Sequence, residues 1–129
     1  MSRLTANEPS NASWQLDLSG GHNKVGAVRL AQGDLVGALV AFQASMDVRT
    51  ALAAGDPSNA GLQRDLAFSL FRMATVHEQQ RQFWVARDFA KQCAEIFERL
   101  AALDRTNATW QNDVDESRAM VARLKSADG

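Results

Sequence analysis

The chain has few of the features that would assign it a chemistry. One cysteine, Cys93, among 129 residues excludes an internal disulfide and fits a reducing compartment. Only two prolines interrupt a sequence dominated by alanine and leucine, which favours helix. No basic block occurs and the formal net charge is −1, so the positive face that a nucleic-acid partner requires is missing. Met1 to Ser13 is polar, without the apolar segment of a secretory signal, and no unbroken run of about 18 apolar residues suggests a membrane span. A soluble, cytoplasmic protein is the expectation. Hydrophobic residues make up 46% and charged residues 22%, values of an ordinary globular chain.

A repeat is present instead. Displaced by 48 positions without gaps, the chain falls on itself: Pro9-Ser10-Asn11-Ala12 on Pro57-Ser58-Asn59-Ala60, and Gln15, Asp17 and Leu18 on Gln63, Asp65 and Leu66. Leu52-Ala53-Ala54 falls on Leu100-Ala101-Ala102. A further 48 residues on, Asn107-Ala108, Trp110-Gln111, Asp113 and Val114 continue the pattern. The expected organisation is a polar tail (1–7), one domain (8–125) of two full units (8–55 and 56–103) and a half unit (104–125), and a short C-terminal tail (126–129). A fixed period of this size marks a stacked repeat architecture.

Each unit holds two helical patterns. Phe83, Ala86, Phe89, Ala90, Cys93, Ile96, Phe97 and Leu100 recur in steps of three and four, one face of a 3.6-residue period. The first-helix stripe runs through Leu62, Leu66, Leu70, Met73 and Val76 in unit two. It runs through Trp14, Leu18, Val25 and Val28 in unit one, and through Trp110, Val114, Val121 and Leu124 in unit three. Helices are predicted at about 12–31, 35–54, 60–79, 83–103 and 108–125. Asn11, Asn59 and Asn107 each stand where a side-chain oxygen can cap a helix N-terminus. Gly33-Asp34 suits a left-handed helix end followed by a cap. In unit two Arg81 takes the place of Gly33, where a left-handed backbone costs about 1 kcal/mol. Gly20-Gly21 should loosen or kink the first helix.

Gly26, Gly33-Asp34, Ala38 and Phe42 resemble the tetratricopeptide repeat, as does the Asp56-Pro57 junction; Ala74, Ala86 and Ala90 hold the matching places in unit two. The unit is longer than the family's usual 34 residues, most simply by about two turns on each helix, and His22 and Leu70 stand where the family has large residues. The long unit is also similar to extended arrays of this type in bacterial multidomain proteins. The resemblance implies an all-α fold of antiparallel helix hairpins stacked as a short right-handed solenoid. It also implies a concave face, lined by the first helix of each unit, that holds a peptide or partner helix. On that face fall Asn23, Lys24 and Ala27, then Phe71, Arg72, Thr75 and Glu78, then Ala119 and Arg123. Lys24, Arg72 and Arg123 suit an acidic segment or a C-terminal carboxylate, although the family's carboxylate-clamping set is not reproduced. The same residues also read as an ordinary solvated face.

Phe68 and Trp84 fall off the core stripe of unit two and suggest a surface for a homodimer, the alternative function being a structural oligomerisation module. The last helix, with Asp113, Asp115, Glu116 and Arg118, is expected to act as a polar cap. No catalytic constellation, cofactor motif or metal-ligand spacing occurs. His22 and His77 occupy different places in the repeat, and His77-Glu78 lacks a second histidine at helical spacing. Cys93 lies on the apolar stripe and reads as a small core residue. The Asn-Ala-Ser and Asn-Ala-Thr sequons at Asn11 and Asn107 are better explained as repeated caps. The expected function is non-catalytic protein binding, with no cofactor, no nucleic acid and no membrane.

Overall fold

The computed structural model describes residues 9–127. Five α-helices follow one another: α1 (Pro9–Ala31), α2 (Leu35–Gly55), α3 (Ala60–Gln79), α4 (Phe83–Leu103) and α5 (Ala108–Ala127). No strand occurs among the described residues. The polar tail expected at 1–7 lies outside them. Connections of three or four residues leave each helix packed on its chain neighbours, α1 on α2, α2 on α3, α3 on α4 and α4 on α5.

The turns behave as their residues dictate. Gly33 adopts φ 80°, and Asp34 Oδ1 accepts the Gly37 amide at 2.9 Å to start α2. Asn59 accepts from Leu62 N at 3.1 Å and Asn107 from Trp110 N at 3.0 Å, so both are N-caps. Asn11 is not. α1 begins at Pro9, and Asn11 lies inside it, accepting from the Gln15 amide at 3.4 Å. Pro57, by contrast, follows the helix end at Gly55 and lies in a turn before Asn59. Gly20-Gly21 does not interrupt α1. Arg81 does take φ 63°, with its guanidinium 5.3 Å from the Phe83 ring. Glycine there should relieve about 1 kcal/mol of backbone strain and forfeit about 0.5 kcal/mol of ring contact. Arg81→Gly is therefore expected to raise the melting temperature by about 2 °C in a calorimetric scan; a fall would refute this account of the turn.

The core is built mainly around α3 and α4. Ala67, Leu70, Cys93, Ile96, Phe97, Leu100, Ala101 and Val114 form one cluster, and Ala74, Ala86, Ala90, Met120 and Leu124 a second. Ala38 and Phe42 of α2 meet Met73 and Val76 of α3 in a third. Each large apolar side chain buried this way contributes about 1.5–3 kcal/mol. α2 is long and apolar enough, by length and composition, to cross a membrane. Asp47 and Arg49 interrupt it, and its buried residues include Ala38, Ala41, Phe42, Ser45, Leu52 and Ala53.

α1 departs from expectation. The stripe expected to be its core face is exposed: Trp14 by 63%, Leu18 by 42%, Val25 by 44% and Val28 by 57%. It buries Ser19, Asn23 and Gly26 instead. In α3 and α5 the same stripe packs on the second helix of the preceding unit, and no such helix stands before α1 among the described residues. The buried face of α1 is therefore the one turned to α2. A Cβ on Gly26 would lie 2.5 Å from Phe42 Cε1, so the backbone of α1 rests almost directly on that ring.

Candidate functional site

Polar groups in the unit-one core form a network centred on Arg49 of α2. Its Nε donates to Ser19 Oγ of α1 at 3.0 Å, and Nη1 donates to Asp65 O and Ser69 Oγ of α3 at 3.1 and 3.2 Å. With its amide oxygen turned to the guanidinium, Asn23 accepts from Arg49 Nη1 and Nη2 at 3.0 and 3.1 Å and donates to Ser45 Oγ at 3.0 Å. Burial lowers the Arg49 pKa, and the nearby Asp65 charge partly offsets that. One side chain thus ties three helices together. The repeat shows what it replaces. Ser19, Asn23, Ser45 and Arg49 correspond at 48 residues to Ala67, Phe71, Cys93 and Phe97, an apolar set in the equivalent place. Asn23 is therefore a core residue of the α1–α2 contact, only 8% exposed, and not part of an open face.

A cavity of about 340 Å³ opens among all five helices. Its lining draws on Leu30 of α1, Phe42 of α2, Phe68, Phe71, Arg72 and Thr75 of α3, and Phe97 of α4. Asp113, Glu116 and Ser117 line it from α5. The helical period explains the α3 contribution: Phe68, Phe71, Arg72 and Thr75 recur in steps of three, one and three on a single face. Phe68 meets Phe97 edge to face with centroids 5.4 Å apart, and the Arg64 guanidinium sits 4.8 Å from the Phe68 ring. Arg72 lies 5.7 Å from the Phe42 ring, and Thr75 Oγ1 donates to Phe71 O at 3.1 Å.

Two ion pairs join α3 to α5. Arg64 donates to both carboxylate oxygens of Asp113, at 2.8 and 3.3 Å. This bond raises the Arg64 pKa above its usual value. Arg123 pairs with Glu78. Asp113 is 7% exposed, so it does not belong to the polar outer face expected of the last helix; Asp115, Glu116 and Arg118 do remain exposed. The recurrence of aspartate at 17, 65 and 113 is the signal that separates Asp113 from its solvated neighbours.

The expected binding residues thus divide. Phe71, Arg72 and Thr75 are brought together in the cavity wall. Glu78 and Arg123 are tied to each other. Ala119 is exposed on α5, Ala27 is exposed on α1, and Lys24 lies beside Val25, Val28 and Arg29 in a shallow depression on α1. Phe68 faces Phe97 within the cavity, whereas Trp84 is 71% exposed at the start of α4 beside Arg87, so the two rings share no surface. Among the described residues no three His, Cys, Asp or Glu side chains gather as a metal site. His77 Nδ1 meets Gln82 Oε1 at 2.7 Å, and its ring stacks on Phe89. Burial pushes the Cys93 thiol up to about 12, with a smaller push from Asp113. A thiol so placed stays protonated near neutrality and is a poor nucleophile. No protein-family model, curated protein or solved structure matches the chain.

Proposed function

We propose that the chain is a tetratricopeptide-like, non-catalytic module that holds an extended peptide or a partner helix in the cavity lined mainly by α3 and α5. The observation that carries the reading is the lining itself. Phe42, Phe68, Phe71 and Phe97 supply apolar and aromatic surface, and Arg72 and Thr75 add a cation and a hydroxyl at its edge. Concave, largely apolar surfaces with a few convergent polar groups are the usual form of a binding site. Glu116 on the opposite wall gives the site two charged sides, which suits a ligand with an apolar anchor flanked by charge of both signs.

The test is selection of binders from a random peptide library on the intact chain, followed by calorimetric titration. Arg72 is exposed, so Arg72→Ala should leave the fold intact and weaken a selected peptide by about tenfold, the cost of one charge-assisted contact. Thr75→Trp should fill the cavity and abolish binding. Peptides whose affinity ignores both substitutions would place the binding surface elsewhere.

A further inference from the structure

Among the described residues, the exposed stripe of α1 is where the repeat's own packing rule is left unfilled. Leu18, Val25 and Val28 correspond to Leu66, Met73 and Val76 in α3 and to Val114, Val121 and Leu124 in α5. Met73 and Val76 are buried, and Val114 and Leu124 are buried. Charge follows the same rule. Asp65 supports the Arg49 charge from α3, and Asp113 is bound by Arg64. Their counterpart Asp17 makes no ion pair or hydrogen bond among the described residues, and neither does Lys24.

Trp14, Leu18, Gly21, Val25 and Val28 follow one another at intervals of four and three, the seam of a coiled coil. The other first helices are already covered: α3 packs between α2 and α4, and the outer face of α5 presents Asp115, Ala119 and Ala122 rather than an apolar stripe. The α1 seam is self-complementary. When two copies are laid antiparallel, Trp14 faces Val25 of the other copy and Leu18 faces its Gly21, large against small at each layer. Asp17 then flanks Lys24 of the other copy, and two-fold symmetry gives the pair twice. Gly20 and Gly21 have no atom within 4 Å of a Cβ position, so nothing among the described residues crowds the backbone there.

We infer that two copies of this chain associate through α1, as an antiparallel helix pair sealed by Asp17 and Lys24 across the symmetry axis. The surface differs from the Phe68 and Trp84 face expected from sequence, and it leaves the α3–α5 cavity of both copies open. Sedimentation equilibrium of the intact chain should therefore report a dimer. Leu18 is half exposed, so Leu18→Glu should keep the helical circular dichroism and sediment as a monomer. Asp17→Lys or Lys24→Asp alone sets like charges together and should raise the dimer dissociation constant roughly tenfold at low salt. The double substitution restores the pair with reversed sign and should restore the dimer. A monomer at high micromolar concentration, a dimer indifferent to Leu18→Glu, or a double swap no better than the single ones would each overturn the inference.

Discussion

Arg49→Ala is expected to lower the unfolding free energy by about 3 kcal/mol, since it leaves several partly buried polar groups without their donor. Asn23 Oδ1, Ser19 Oγ, Ser69 Oγ and Asp65 O all accept from this guanidinium. The measurement is a urea titration, read as a fall in midpoint at unchanged slope. A loss below about 1 kcal/mol would mean that the guanidinium is solvated rather than structural. Unit two supplies the complementary experiment. It builds the equivalent positions from Ala67, Phe71, Cys93 and Phe97. Carrying that set into unit one, as Ser19→Ala, Asn23→Phe, Ser45→Cys and Arg49→Phe together, should recover most of what the single substitution loses. A well-packed apolar set often equals or exceeds a buried ionic one.

The second large effect is expected at Gly26. Alanine is normally the better helix residue by about 1 kcal/mol, and Gly20→Ala should show that gain because nothing lies within 4 Å of its Cβ. Gly26→Ala should do the reverse. Its methyl group would stand 2.5 and 2.6 Å from Cε1 and Cδ1 of Phe42, whose ring is only 1% exposed. Overpacking of this kind costs about 1–3 kcal/mol, and Gly26→Val should exceed that range. Unit two meets the same crossing with Ala74 opposite Ala90. Gly26→Ala and Phe42→Ala should accordingly couple, the double variant being less destabilised than the sum by at least about 1 kcal/mol in a double-mutant cycle. Simple additivity would show that the ring and the glycine do not oppose each other.

The helices were legible in the sequence because their punctuation is local. Asp34, Asn59 and Asn107 cap as their side chains require, and Gly33 and Arg81 sit at left-handed turns. The face that α1 buries was not legible. Leu18 and Val25 have the same chemistry as Leu66 and Met73, and only the presence of a helix before α3 decides which set is covered. The network around Arg49 was hidden for a different reason. Ser19, Asn23 and Arg49 read as solvated residues until the distances show them meeting between helices. Their offset of 48 from an apolar set was in the sequence, but it shows a substitution and not its geometry. Of the expected binding residues, those one helix could gather on a single face, Phe71, Arg72 and Thr75, are found together. Those that depended on how α1 is turned, such as Asn23, are not.

The two ion pairs between α3 and α5 also set a length. Arg64 and Glu78, their α3 partners, stand fourteen residues apart on one helix, about 21 Å at the helical rise. Phe68, Phe71, Arg72 and Thr75 all lie between them. An extended chain advances about 3.3 Å per residue. For the peptide-binding function proposed above, the two bridges would frame a footprint of about six residues.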